Sequence, residues 1–185
     1  GHIWLGGEES SKDGTIFNAN IPTEEVFSAP QYNGVNGVVH STKPLIYHGN
    51  TISDFSFTFK DGKIIEYTAK EGYEVLKELV ETDEGSHYLG EVALVDHFSP
   101  ISQSNQIFYE TLFDENASCH LAIGAAYPTC LKNSDGLSEE ELKERGLNHS
   151  LTHVDFMIGH ERMNIKGYTR DGQAVDIMID GRLQV

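Results

Sequence analysis

The segment His153-Val154-Asp155-Phe156-Met157 concentrates the most chemistry in the least sequence. On a strand, residues two apart project to the same side. His153 and Asp155 then stand together, while Val154, Phe156 and Ile158 take the opposite, core-facing side. An imidazole beside a carboxylate suits a zinc or manganese ion, which accepts N and O donors at about 2 Å; a surface His-Asp pair on a half-exposed strand has the same pattern. A second segment, Phe113-Asp114-Glu115-Asn116-Ala117-Ser118-Cys119-His120, supplies another glutamate and another histidine. Their spacing of five does not match the three or four that stacks side chains on a helix. Either a helix ends between them or they serve different ions; the plainer alternative is an acidic helix end with a buried cysteine. Glu91 heads the apolar run Val92-Ala93-Leu94-Val95. A carboxylate entering a buried segment is paired, protonated or metal-bound, because an isolated buried charge is too costly; a solvated strand end is the alternative. Pro22-Thr23-Glu24-Glu25-Val26-Phe27 offers two further carboxylates in what reads as a turn or helix start.

Other chemistries find less support. Gly34-Val35-Asn36-Gly37 lacks the lysine and the following helix of a phosphate-binding loop. The sequence contains neither a Gly-x-Ser-x-Gly elbow nor a His-Glu-x-x-His helix. Cys119 beside His120 makes a poor nucleophile and base, since chain neighbours rarely aim at one another. Met157 and Met163 read as core fillers.

The elements that must position these residues show in the periodicity. Phe55, Phe57 and Phe59 alternate with polar residues, Asp61-Gly62 gives a two-residue turn, and Lys63 to Tyr67 completes a hairpin. Between Ala69 and Thr82, Tyr73, Leu76, Leu79 and Val80 fall on one helical face, with Gly85 available to end the helix. Glu91 to Val95 is a short buried strand, and Ile107 to Leu112 opens a second helix. Ser138 and Glu141 form a capping box, with Gly146 past the end, so Ser138 to Arg145 is a short exposed helix. Strands Thr152–Ile158, Asn164–Arg170 and Ala174–Ile179 follow as a meander, with turns at Asp171-Gly172 and Asp180-Gly181. The start, through Gly14, reads as an irregular lead-in. The expectation is one α+β domain, rich in mostly antiparallel strands, with a curved or barrel-like sheet and a few flanking helices.

Composition narrows the partners. With 13 basic against 29 acidic residues and a formal charge of −16, the chain is a poor match to nucleic acid, whose phosphates need clustered Lys and Arg. No apolar run approaches the roughly 18 residues that cross a bilayer. Cys119 and Cys130, the only cysteines, fit reduced thiols in a cytoplasmic protein better than a disulfide framework.

Taken in order, Asn20-Ile21-Pro22-Thr23-Glu24-Glu25-Val26-Phe27, Ser41-Thr42-Lys43-Pro44-Leu45, Gly90-Glu91-Val92-Ala93-Leu94, Thr111 to His120, Ala126-Tyr127-Pro128 and His153-Val154-Asp155-Phe156-Met157-Ile158-Gly159 resemble the aminopeptidase T family, which includes the bacterial enzymes AmpS and PepS. The likeness runs from about Ile3 to the C-terminus and matches the C-terminal half of those longer enzymes. It implies that residues 1–185 form a metal-binding catalytic domain without the N-terminal domain. It further implies a co-catalytic pair of divalent metals, zinc or cobalt with manganese or magnesium as substitutes. The matching ligand positions are Glu25 (in preference to Glu24), Glu91, Glu115, His120, His153 and Asp155. Tyr127 resembles the family's active-site tyrosine, and Glu91 is either the general base or a metal bridge. Peptide substrates, release of N-terminal residues, a homodimer and a cytoplasmic setting follow from the same likeness. The charges agree: Glu25, Glu91, Glu115 and Asp155 bring four negative charges, as many as two divalent cations offset. Two alternatives stand beside this. One is a non-catalytic metal-binding or dimerisation module, with Phe55, Phe57 and Phe59 as an interface. The other is a two-metal hydrolase of another class, such as a phosphoesterase, which would want Lys or Arg converging on the phosphate; none lies beside the ligand segments.

Overall fold

The period-two run of phenylalanines organises the hydrophobic core. In a computed structural model, which describes residues 1–18, 23–109 and 111–184, Phe55, Phe57 and Phe59 are all buried. The hairpin they introduce turns at Asp61 and Gly62, whose φ values of 49° and 85° are the positive pair that a type I′ turn requires. A Cβ on Gly62 would also meet the Tyr32 carbonyl oxygen at 1.8 Å, so no larger residue fits.

In chain order the strands are β1 (Leu5–Gly6), β2 (Glu9–Ser10), β3 (Ile16–Phe17), β4 (Glu25–Ser28), β5 (Gly37–His40), β6 (Leu45–Tyr47), β7 (Asn50–Ile52), β8 (Ser56–Lys60) and β9 (Lys63–Thr68). Helix α1 (Tyr73–Val80) precedes β10 (Leu89–Val95). Short helices α2 (Pro100–Ser104) and α3 (Thr111–Asp114) lead to β11 (His120–Gly124), and α4 (Glu139–Glu144) leads to β12 (His153–Met157), β13 (Ile165–Tyr168), β14 (Ala174–Ile179) and β15 (Arg182–Leu183). Among the described residues the main sheet has the order β1-β4-β10-β11-β12, beside the smaller ladders β5-β8-β9, β13-β14-β15, β6-β7 and β2-β3. Its neighbouring strands are antiparallel throughout.

One face of the main sheet closes the core. Leu121, Ile123, Val154 and Phe156 cluster with Phe55, just ahead of β8, with Phe57 of β8 and with Leu76, Leu79 and Val80 of α1. The Phe57 and Phe156 rings meet edge to face at 5.1 Å, a favoured aromatic geometry. α1 presents its buried residues at the helical spacing read from the sequence. The capping box at Ser138 and Glu141 is formed, and α4 starts behind it. No helix among the described residues is long and apolar enough to cross a membrane.

Several expectations are corrected. The sheet does not close into a barrel: β1 and β12 are its edges, and a two-residue β1 is too short to bridge back. The lead-in is not irregular throughout, because β1 pairs with β4 in register Leu5 to Phe27; two-residue pairings leave no periodicity to read. Of the segment expected as a helix start or turn, Pro22 lies outside the described residues and Glu25–Ser28 is a strand; four residues inside a sheet satisfy their backbone through neighbours invisible to local pattern. Helix is absent at Ile107 to Tyr109, while Glu110 lies outside the described residues. The expected helix begins only at Thr111, as α3, and a separate helix, α2, begins at Pro100, where Ser99 caps the Ser102 N–H, the usual place for proline in a first turn. The meander begins at β13, because β12 pairs with β11. The phenylalanine face is core and not an interface. Phe57→Ala should therefore cost about 3–5 kcal/mol. Urea unfolding followed by circular dichroism checks this, and a loss under about 1 kcal/mol would contradict the packing described.

Candidate metal centre

The second face of the main sheet is where the polar residues meet. Cross-strand partners share a face, and the register pairs Glu91 with Ala122, Ala122 with Asp155, and Gly124 with His153. His120 lies opposite Ala93, which lies opposite Phe27, two residues beyond Glu25. Alternation then places Glu25, Glu91, His120, His153 and Asp155 on one side of four adjacent strands. Ala122, fully buried between Glu91 and Asp155, keeps the space between them open. A β-bulge between Leu89 and Glu91 re-aims the glutamate, as bulges do next to functional groups. The bulge needs Gly90, where a Cβ would lie 2.1 Å from the Ala125 carbonyl oxygen.

The donors lie within bonding reach of a shared ion. His120 Nε2 is 3.1 Å from Glu25 Oε2 and 3.5 Å from Glu91 Oε1. His153 Nε2 is 3.5 Å from both Glu91 Oε2 and Asp155 Oδ1. Two groups, Glu25-Glu91-His120 and Glu91-His153-Asp155, each bring their ligand atoms within 4.8 Å of one another. Both imidazoles are oriented from behind: His120 Nδ1 donates to the Ser118 carbonyl at 2.9 Å and His153 Nδ1 to the Ala125 carbonyl at 2.7 Å. With that proton committed, a neutral ring turns an Nε2 lone pair toward carboxylates, which are acceptors too. Backbone-anchored imidazoles of this kind are the usual form of histidine metal ligands. Glu25 Oε2, His120 Nε2 and Asp155 Oδ1 are buried and complete no aligned hydrogen bond among the described residues, the close His120–Glu25 approach included. Each buried polar atom left unpaired costs about 1–3 kcal/mol, so three converging on one place fit a bound cation.

Protons show the same strain. Burial alone would lower the His120 pKa, but Glu25, Glu91 and Asp155 raise it well above the usual imidazole value. Burial is likewise overcome at His153, raised by Asp155 to about 9. Glu91 is raised by burial and by Asp155, with His120 pulling the other way.

A profile of the thermophilic metalloprotease family (M29) matches residues 1–183. The chain belongs to that family. It is 58% identical to Aminopeptidase 2 of Geobacillus stearothermophilus over 98% of its own length and 44% of that protein's. It is 58% identical to aminopeptidase AmpS of Bacillus subtilis over 97% and 44%. The solved structure of wild-type AmpT from Thermus thermophilus superimposes with a TM-score of 0.92 at 44% identity, covering 100% of this chain and 45% of that one. The chain thus spans less than half the length of these relatives. A metalloprotease family and an N/O donor set agree on a divalent metal cofactor.

The remaining residues expected in this M29 site are placed as follows. Glu115 opens a 3₁₀ turn, Glu115–Ala117, directly after α3, so a helix does end between Glu115 and His120. Its buried carboxyl lies outside both triplets, yet burial, then the charges of Glu25 and Asp155, push its pKa up to about 8. Glu24 turns away, with Oε2 accepting the Ile101 N–H at 3.4 Å, which leaves Glu25 facing inward. Tyr127 is half exposed with its ring 5.0 Å from that of His153. Burial, then the charge of Glu91, raises its pKa. Cys119 points elsewhere, exchanging hydrogen bonds with the Val95 N–H and C=O at 3.3 Å, and burial raises its pKa. Two residues escaped sequence reasoning. Asn116 Oδ1 accepts the Glu24 N–H at 2.7 Å across 92 residues of chain, tying the turn that carries Glu115 to the strand that carries Glu25. Lys43 reaches a cleft that Asp155 also lines, so one cation does stand near a ligand segment. Neither signal is local enough to read from spacing.

The pH dependence of the metal-free protein follows. Between about pH 4.5 and 8 an unfolded chain has lost the Glu115 proton that the folded one keeps, so stability falls as pH rises through that window. The raised histidines act in the same direction above their ordinary value. Chelator-treated protein should unfold at lower urea at pH 8 than at pH 6, and Glu115→Gln should flatten that slope. An unchanged slope in the variant would contradict the placement of Glu115.

Proposed function

We propose that this chain is the metal-binding catalytic domain of an aminopeptidase, a metal-dependent exopeptidase that releases N-terminal residues from peptides. The observation that carries the reading is the convergence of buried Glu25, Glu91, His120 and Asp155 with His153 on one sheet face. Two divalent cations are the occupants, zinc or cobalt by the mixed N/O donor set, with manganese or magnesium as substitutes. Glu25, Glu91 and His120 would hold one, and Glu91, His153 and Asp155 the other. Glu91 divides its two oxygens between His120 and His153, so it would serve both ions as a shared ligand sooner than act as the base. Glu115 completes the set as the fourth carboxylate.

When bound, such a pair polarises a carbonyl and lowers the pKa of water toward about 7. The chain's own residues do the rest. The backbone carbonyls of Ser118 and Ala125 fix the two imidazoles, so the donors need not reorganise during reaction. Tyr127 stands at the exposed side of His153 and, with its pKa raised, keeps its phenolic proton at neutral pH. It donates that hydrogen bond to the carbonyl oxygen as negative charge develops there. A homodimer in a reducing cytoplasm belongs to the same reading, the compartment in keeping with two unpaired cysteines.

Two measurements test this. Zinc-reconstituted protein should carry about two ions per chain by mass spectrometry and hydrolyse aminoacyl anilides but not phosphate monoesters. His120→Ala or Glu115→Gln should reduce metal content and abolish hydrolysis together; anilide turnover that survives either change refutes the ligand set. Tyr127→Phe should retain both ions and lose roughly 100-fold in kcat, and a full rate in that variant removes the tyrosine from the chemistry.

A further inference from the structure

His153 owes its orientation to the Ala125 carbonyl, which accepts its Nδ1–H at 2.7 Å. Ala125 lies one residue past the end of β11, where the ladder of the sheet gives out. Asn148, only 5% exposed, takes over there. Its side-chain Nδ2 donates to the Gly124 carbonyl at 2.6 Å and to the Gly85 carbonyl at 2.8 Å. Both partners are acceptors only, so the NH2 end of the amide must face them. The main-chain carbonyl of the same residue accepts the Ala126 N–H at 2.9 Å. Ala125 is thus bracketed on both sides by Asn148.

Peptide planarity turns the bracket into an aiming device. The Ala125 carbonyl and the Ala126 N–H belong to one rigid plane and point in opposite directions. Holding that N–H on Asn148 sets the direction in which the carbonyl faces His153. The Gly85 carbonyl, in the turn that follows α1, anchors Asn148 in its turn. A Cβ on Gly85 would lie 1.8 Å from the His149 carbonyl oxygen, so the loop carrying Asn148 rests directly on it. Asp83 pins the other end of that loop, accepting the Ser150 Oγ–H at 2.8 Å and the Leu151 N–H at 2.6 Å. Among the described residues it makes no hydrogen bond to Gly124, Ala125 or Ala126.

We infer that Asn148 is a positioning residue for the metal centre: by fixing the Ala125–Ala126 peptide plane, it aims His153 Nε2 at Glu91 and Asp155. The consequence for metal rests on the two-metal reading above, whereas the aiming of the ring does not. Asparagine suits the place because aspartate has its shape without the N–H donors, and leucine has about its volume without polarity. Outer partners of a ligating histidine are typically worth about 10–100-fold in metal affinity.

Two readouts test this, the first without metal. In nitrogen-15 spectra of the metal-free chain, the Nδ1–H groups of His153 and of His120, which bonds Ser118, should both give slowly exchanging signals. Asn148→Leu should remove or shift the His153 signal and leave that of His120 in place. Asn148→Asp replaces it should the leucine variant not fold, as judged by circular dichroism. Asp83→Ala, which loosens the same loop from its other end, should leave both signals. In zinc titrations the Asn148 variant should bind one ion about 10–100-fold more weakly and the other within about threefold of its original affinity. In a His153→Ala background, with no ring left to aim, the same change should add less than about twofold. An unmoved His153 signal in a folded Asn148 variant, an equal loss in Asp83→Ala, or a full zinc effect without His153 overturns the assignment. Absence of zinc binding by the unaltered chain is a different result: it removes the two-metal reading, and the metal-free spectra still decide the role of Asn148.

Discussion

Three carboxylates on one buried sheet face, with the Glu115 carboxyl near them, repel each other, and the rest of the structure has to hold them there. Burial first, then the charges of Glu25 and Asp155, hold the Glu115 proton to about pH 8, and the same gathering of carboxylates keeps protons on the two histidines. Cations would relieve the repulsion, but the scaffold must tolerate it before they arrive. An antiparallel sheet suits the task because its ladder hydrogen bonds are independent of what the side chains do. The positions of Glu25, Glu91, His120 and Asp155 follow from backbone pairing, not from attraction among themselves.

The opposite face of the same strands supplies the offset. Each site strand alternates a donor with an apolar residue, so His153 and Asp155 share β12 with Val154 and Phe156, which pack into the aromatic core. A one-residue slip in β11 or β12 would bury the donors in that core and expose its apolar residues. Register is therefore enforced by hydrophobic burial on one side, and the geometry of the site inherits it. The β8–β9 hairpin and α1, which contribute no donor to either triplet, matter to the chemistry in this indirect way.

What the sequence made legible and what it hid divide along the same line. Period-two alternation exposed β8, β9 and β12 and even the sidedness of His153 and Asp155, because local pattern and tertiary burial agree there. The β8–β9 turn, α1 and the capping box of α4 were equally plain, each carrying its cause within a few residues. Glu25 sat in a segment without periodicity, since β4 is four residues long and is defined by its pairing with two strands distant in the chain, β1 before it and β10 after it. The Asn116–Glu24 hydrogen bond and the edge position of β12 are long-range facts with no local signature. Family resemblance supplied the ligand positions that spacing alone left open between metal site and solvated surface.

One tension in the site's design concerns Ala122. Glu91 and Asp155 flank it on the donor face, and it is fully buried, a place where a larger apolar side chain would normally gain stability by burying more surface. A leucine there would project into the space that both triplets border. The smallest side chain is retained at the cost of packing, and the bulge at Gly90 similarly gives up a ladder position to aim Glu91. Both concessions lie on the donor face, none on the core face. Local rules are broken where charge must gather and are obeyed where it must be kept out, which is the pattern expected when a stable sheet is bent to a chemical purpose.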